Sequence, residues 1–300
     1  MLYSKVTPEQ KRVRFRELLA SGTIQQFPGA FNPLSARLIE EKGFAGVYIS
    51  GAVLANDLGL PDIGLTTLTE VATRAGQIAR MTDLPSIVDA DTGFGEPMNV
   101  ARSVQELENA GLAGLHIEDQ FNPKRCGHLD GKNVVDLDTA TKRIRAAADA
   151  RRDPNFLIMA RTDIRATDGL SATQDRAKAL VEAGADAIFP EAMKDLSEFQ
   201  AIRDAVDVPI LANMTEFGQS ALFTVDQLAG VGVNMIIYPV TLLRSAMGAA
   251  ERTLESMKAD GTQEAQVGTM LTRARLYDLV DYEAYNSFDT GVFNFQVPGQ

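Results

Sequence analysis

Short apolar runs recur eight times along this chain, separated by longer stretches, most of which space their apolar residues as a helix does. That alternation leaves few folds open. The runs lie at 24–30, 47–50, 86–90, 114–117, 156–160, 187–190, 209–213 and 235–239. Each is too short for a helix and apolar at nearly every position, as a strand covered on both faces must be. Helical spacing occupies 67–81, 99–110, 139–150, 172–183 and 197–205. Pro85, Pro154 and Pro209 stand at strand starts, where a missing backbone donor costs least. Eight such units in roughly 250 residues predict an α/β fold, a (β/α)8 TIM-type barrel. A doubly wound open sheet is the alternative, but the glycine-rich phosphate turn it usually carries after its first strand is not evident.

Two segments fall outside the eight units. Thr7 and Gln10 form a capping box around Pro8 at the first helical position, and Gly22 closes that helix. This N-terminal helix region, 1–23, is expected to plug one end of the barrel. A further helical stretch at 263–280 precedes an aromatic tail with Tyr282, Tyr285, Phe288, Phe293 and Phe295. The chain therefore reads as one barrel domain over 1–300, with a C-terminal helical arm from 262 to 300. An apolar tail on a complete barrel needs a surface to cover it, and a neighbouring subunit is the expected one.

Composition excludes several function classes. Lys and Arg number 29 against 40 Asp and Glu, and the net charge of −11 argues against nucleic acid as a partner. A single cysteine forbids an intrachain disulfide and fits a reducing compartment. The charged N-terminal stretch lacks the apolar core of a signal peptide, and no apolar run approaches the roughly 18 residues of a membrane span. A cytoplasmic protein without a membrane partner is expected.

Polar residues cluster where a barrel keeps its chemistry. Tyr48, Ser50, Asp89, Asp91, Glu118, Arg161, Glu191, Asn213 and Tyr238 all fall at or just past the C-terminal ends of expected strands. Asp89 and Asp91 are two apart, so on a strand both side chains point the same way. Two like charges held together are costly unless a cation lies between them. A helix N-cap pair is the plainer reading of the same two residues. Glu118 at the next strand end favours the metal, and hard oxygen donors favour Mg2+ or Mn2+ over zinc.

The one cysteine, Cys126, sits in Lys124-Arg125-Cys126-Gly127-His128, inside a connection of about sixteen residues that is long for a barrel loop. Cationic neighbours drive a thiol toward thiolate. A lone cysteine is often a buried apolar filler, but a polar, glycine-containing loop favours a reactive group. His128 is placed either to orient or protonate the sulfur or to bind an anionic substrate. His116 lies inside a strand and reads as a hydrogen-bonded core residue.

With these residues assembled, the chain resembles the isocitrate lyase and phosphoenolpyruvate mutase superfamily, and within it the 2-methylisocitrate lyase branch. The resemblance runs from about 25 to 277 and is carried by 88–95, 114–120, 124–128, 159–163, 189–192 and 211–218. Isocitrate lyases usually carry two lysines before the cysteine and an inserted segment that this chain lacks, and the mutases lack the cysteine motif. The resemblance implies Mg2+-dependent cleavage of a small 2-hydroxy tricarboxylate, 2-methylisocitrate, to pyruvate and succinate in propionate breakdown. It also implies a homotetramer whose subunits exchange their last helix.

Family roles carry over by motif. Ser50, Gly51 and Ala52 match the stretch that holds the pyruvyl carboxylate, although Ala52 stands where many relatives have glycine. Asp89 and Asp91 match the metal motif, with Glu118 and Asp62 in its water shell. Tyr48 matches the candidate base and Cys126 is the candidate acid. His128 accompanies the sulfur, and Arg161 matches an arginine near the leaving carbonyl. Gly127, Glu191, Asn213, Met214, Thr215, Arg244 and Arg273 are expected to line the remaining substrate site. Isocitrate cleavage to glyoxylate and succinate is the nearest alternative. Oxaloacetate hydrolysis and a non-catalytic dicarboxylate-binding barrel are more distant ones.

Overall fold

The computed structural model describes residues 4–125 and 133–296. The apolar runs form eight parallel strands among the described residues. They are β1 (Gln25–Pro28), β2 (Val47–Ile49), β3 (Ser86–Asp89), β4 (Gly114–Glu118), β5 (Leu157–Thr162), β6 (Ala187–Pro190), β7 (Leu211–Asn213) and β8 (Met235–Tyr238). Hydrogen-bonded order is β2-β3-β4-β5-β6 in one sheet and β1-β8-β7 in the other. Two parallel bridges, Gly29 with Tyr48 and Ile188 with Ile210, join the sheets at both seams and close the barrel. The open-sheet alternative is thereby excluded.

Helices alternate with these strands. They are α1 (Pro8–Ala20), α2 (Pro33–Glu41), α3 (Gly51–Asp57), α4 (Leu68–Ala79), α5 (Pro97–Asn109), α6 (Leu137–Ala150), α7 (Arg165–Glu182), α8 (Leu196–Ala205), α9 (Val225–Gly230), α10 (Thr241–Asp260), α11 (Arg273–Leu279) and α12 (Tyr282–Phe293). The stretch expected to start at 172 belongs to α7, which begins seven residues earlier. A first turn is joined to the main helix across Gly169, whose φ of 85° breaks the helical run. The single helix expected over 263–280 is instead a 3-10 turn, Glu264–Thr269, followed by α11. The backbone turns extended at Met270, and the Thr272 side chain caps the new helix by accepting from the Arg275 amide.

Burial divides into two apolar clusters. The larger one lies between the strands and the outer helices and includes Val88, Val104, Ile144, Ile158 and Ile202. The smaller one fills the barrel interior with Phe27, Ile87, Leu157, Met159, Leu211, Met235 and Ile237, and Phe15 and Leu19 of α1 pack into it. Helix α1 starts on the expected capping box, with Thr7 and Gln10 bonding reciprocally. Its basic residues seek backbone carbonyls at the N-terminal ends of the strands. Lys11 donates to Ala79 and Thr82, Arg12 to Glu108 and Leu112, and Arg16 to Asn155 and Phe156. The plug therefore closes the end opposite the polar strand termini. No helix among the described residues is long and apolar enough to cross a membrane.

Candidate active site

The C-terminal ends of the strands surround a cavity of about 500 Å3, within the usual range for a small-ligand site. Tyr48 and Ser50 follow from β2, Asp89 from β3, Arg161 from β5, Phe189 and Glu191 from β6, and Asn213 and Thr215 from β7. Asp62, Lys124 and Arg244 complete the polar rim, Ala52 also lines the cavity, and Pro239, Val240, Leu243 and Met247 form an apolar wall. A larger, shallower groove of about 840 Å3 lies beside α1 at the closed end. It mixes Arg12, Arg14 and Arg152 with Glu17, Glu108 and Asp153, and barrels do not place chemistry at that end.

The two aspartates converge, but not by strand alternation. Strand β3 ends at Asp89, and Asp91 lies beyond it in a left-handed conformation with φ 46°. The Asp91 amide donates to Asp89 Oδ1 at 3.0 Å, which folds the turn back on itself. Both carboxylates then face Gly51. Its amide donates to Asp89 Oδ2 at 3.2 Å, and a Cβ built there would lie 2.9 Å from that oxygen and 3.2 Å from Asp91 Oδ1. Lys124 is buried against the same group, ion-paired to Asp62 and 2.7 Å from Asp91. Its charge is thus spent on protein carboxylates before any substrate arrives.

A second buried set surrounds Arg161. Asp163 grips the guanidinium through two hydrogen bonds, Nε to Oδ2 at 3.0 Å and Nη2 to Oδ1 at 3.2 Å. Glu118 lies 3.3 Å from Nη1 and Glu191 3.2 Å from Nη2. Asp163 is itself anchored, because its amide and the Thr162 hydroxyl both donate to Asp119, which Arg176 also contacts. Asn213 Nδ2 donates to Glu191 at 3.4 Å.

Electrostatics follow from this burial. Burial pushes the Asp91 carboxyl up to about 6, with Asp89 adding to the rise and Lys124 opposing it. Burial also pushes Asp89 up, but neighbouring positive charge outweighs it and holds that carboxyl at about 2. His116 is driven by burial down to about 4 and is neutral at pH 7, so near neutrality the charges that stabilise Asp89 are those of Lys124 and Arg161. Burial raises Glu118 well above the ordinary carboxylate range, against the pull of Arg161 and Lys124.

These residues fit a hydrated Mg2+. The donors are hard oxygens, and neither Glu118 oxygen accepts a hydrogen bond among the described residues. Carboxylates outnumber the cations Lys124 and Arg161 across Asp62, Asp89, Asp91, Glu118, Asp163 and Glu191. No three His, Cys, Asp or Glu side chains among the described residues are close enough together to enclose an ion directly. An ion held here would have to keep several waters, with some carboxylates acting through them.

The sequence-based expectations divide accordingly. Tyr48, Ser50, Ala52, Asp62, Asp89, Arg161, Glu191, Asn213, Thr215 and Arg244 line one cavity. Gly51 sits behind it against the aspartates, Asp91 faces an adjoining cavity, and Glu118 pairs with Arg161. The Met214 side chain turns instead into the outer apolar cluster, and Arg273 starts α11, exposed and off the cavity lining. Cys126, Gly127 and His128 lie outside the described residues. His116 is the hydrogen-bonded strand residue expected, but its partner belongs to the site. Tyr48 Oη lies 2.8 Å from its Nε2, and Asp89 lies 3.7 Å from its Nδ1. Sequence reasoning assigned no role to Asp163, although it closes the 159–163 motif, and passed over Glu216 and Phe217.

A closed parallel barrel with buried carboxylates and arginines at its strand C-termini defines an enzyme of the TIM-barrel class acting on a small anion. The chain belongs to the phosphoenolpyruvate phosphomutase family, whose model matches residues 15–258, as the motifs implied. It is 58% identical over 96% of its length to probable 2-methylisocitrate lyase 1 of Corynebacterium glutamicum, covering 94% of that protein. Among solved structures it resembles oxaloacetate acetylhydrolase in complex with 3,3-difluorooxalacetate, with TM-score 0.90 and 33% identity, over 97% of this chain and 100% of that one. Phosphonopyruvate hydrolase in complex with oxalate and Mg2+ is similar at TM-score 0.85 and 28% identity, over 93% of this chain and 98% of that one.

Proposed function

We propose that the chain is a 2-methylisocitrate lyase, splitting 2-methylisocitrate into pyruvate and succinate with Mg2+. The observation that carries this reading is the convergence of Asp89, Arg161, Glu191, Asn213, Thr215 and Arg244 on one cavity, in a chain so close to relatives of that name. The apolar wall of Pro239, Val240, Leu243 and Met247, with Phe189, supports the methylated substrate over isocitrate. A methyl group is worth only about 1–3 kcal/mol of discrimination, so some isocitrate turnover is expected.

Asp89 and Asp91 would hold the metal, with Glu118 and Asp62 reaching it through water. When bound, Mg2+ supplies a Lewis acid that lowers the pKa of the C2 hydroxyl and steadies the adjacent carboxylate. Ser50 and the Gly51–Ala52 backbone bind the pyruvyl end. Arg161 is rigidly oriented by Asp163 and steadies the oxygen that becomes the carbonyl. Tyr48 is the candidate base. Burial first, then Asp89, pushes its phenol well above the usual range, so the resting form is protonated. To take the hydroxyl proton it must first give up its own, and His116 Nε2, 2.8 Å away, is the neighbour that orients the phenol for this. Breaking C2–C3 leaves charge on the succinyl fragment, which Asn213, Thr215 and Arg244 hold while an acid protonates C3.

Cys126 is the candidate acid, with His128 and the Gly127 backbone beside it. The Gln120 side chain bonds both backbone groups of Arg125, at 2.9 Å each, and so fixes Arg125 next to the buried Lys124. A Cys126→Ser protein is expected to keep its fold and Mg2+ affinity and to lose about two orders of magnitude or more in turnover. Near-normal turnover would reject the acid role.

The active form is proposed as a homotetramer with exchanged last helices. Helix α10 buries none of its twenty residues, and Met247, Leu254, Phe288, Val292 and Phe293 stand exposed on α10 and α12. A second copy of the chain is the partner that would cover them.

A further inference from the structure

Arg244 is held by one edge only. Its Nη1 donates to Glu216 Oε2 at 2.8 Å, to the Glu216 carbonyl at 2.9 Å and to Thr215 Oγ1 at 3.2 Å. No hydrogen bond or ion pair to Nε or Nη2 occurs among the described residues. Glu216 is fixed in turn, because Thr241 at the start of α10 donates to its other carboxylate oxygen. Phe217, with φ 61° and 95% exposed, lays its ring 5.4 Å from the guanidinium carbon. A bulky residue in the left-handed region is costly and persists only where its surroundings enforce it. Arg161 presents the opposite case, since its guanidinium is already engaged by three carboxylates.

From this geometry we infer that Glu216 is a positioning residue for Arg244, locking one edge of the guanidinium so that the Nε–Nη2 edge is presented to a substrate carboxylate. That edge carries two parallel N–H groups, the arrangement that binds a carboxylate bidentately. Glu216 lies on the cavity rim beside Arg244, Leu243 and Met247. Burial pushes its carboxyl up, but the Thr241 hydroxyl and Arg244 outweigh this and keep it ionised. An unclamped arginine must instead be ordered at each binding event, which weakens substrate capture more than it slows bond cleavage. The inference rests on the lyase reading of the cavity.

The test is steady-state kinetics on 2-methylisocitrate with Mg2+, for wild type, Glu216→Ala, Arg244→Ala and the double variant. Glu216→Ala is expected to raise KM about tenfold with kcat changed less than about threefold. In the Arg244→Ala background the same change is expected to add almost nothing, a coupling that a general loss of stability would not produce. Glu216→Gln keeps one of the two acceptor oxygens, enough to receive the Arg244 Nη1 hydrogen bond, and is expected to recover part of the affinity. Thr241→Val, which leaves the carboxylate in place, should reproduce part of the KM rise should the alanine variant fail to fold. An unchanged or lower KM in Glu216→Ala, or an undiminished effect without Arg244, would overturn the inference. A wild type that does not turn over defeats the lyase reading instead. Calorimetric titration with succinate then decides the Glu216 role, weaker binding to Glu216→Ala supporting it and equal binding or none overturning it.

Discussion

Gly51 has no room for a side chain, and the reason is chemical rather than helical. A Cβ there would press on the carboxylates of Asp89 and Asp91, at 2.9 and 3.2 Å, and displace the amide that bonds Asp89. Gly51→Ala is expected to lower kcat/KM by about 100-fold, the scale of an ångström-sized misplacement, with little change in melting temperature. Activity within a few-fold of wild type would show that the aspartates do not need this close approach. At this scale the sequence indicated most of the strand-end side chains that line the cavity, Met214 excepted, because strand ends are readable from the apolar runs. It did not reveal how they face it. Asp91 reaches Gly51 through a left-handed turn, and Glu118 and Glu191 beside Arg161, like Tyr48 beside His116, come from other strands, far along the chain. Such contacts depend on which strands lie side by side in the sheet, which no local pattern encodes.

Helix α1 is the element on which the closed end depends. Phe15 and Leu19 enter the barrel interior, while Lys11, Arg12 and Arg16 bond carbonyls at the feet of the strands. Burial pulls the Lys11 ammonium down to about 8 from 10.5, against the raising effect of Asp83 and Glu40. Between these two values the unfolded chain holds a proton that the folded chain has released, so the Lys11 contribution to stability rises with pH. Chemical denaturation of wild type and Lys11→Met at pH 7 and pH 9.5 reads this directly. The stability of wild type relative to the variant is expected to grow at the higher pH, and a constant difference would contradict it. The capping box made this helix legible in advance, and its plugging role followed from its position before β1. The arm was less legible, because Gln263, Met270 and Thr272 interrupt what composition alone presents as one helix.

Across the whole molecule, the eightfold alternation was enough to name the barrel, since few architectures bury so many short strands on both faces. The proposed assembly rests on apolar side chains left exposed on α10, α11 and α12. Sedimentation equilibrium at micromolar concentration is expected to show a tetramer, and a monomer alone would contradict the proposed exchange of helices. The central claim is chemical: aspartate-held Mg2+ activates a 2-hydroxy tricarboxylate for carbon–carbon cleavage in this cavity. Its most direct test is product analysis after incubation with 2-methylisocitrate and Mg2+, beside the same mixture with a chelator and a parallel incubation with isocitrate. The account predicts equal amounts of pyruvate and succinate, lost with the chelator, and slower release of glyoxylate from isocitrate. Undiminished cleavage without metal, or no pyruvate with it, would contradict the account.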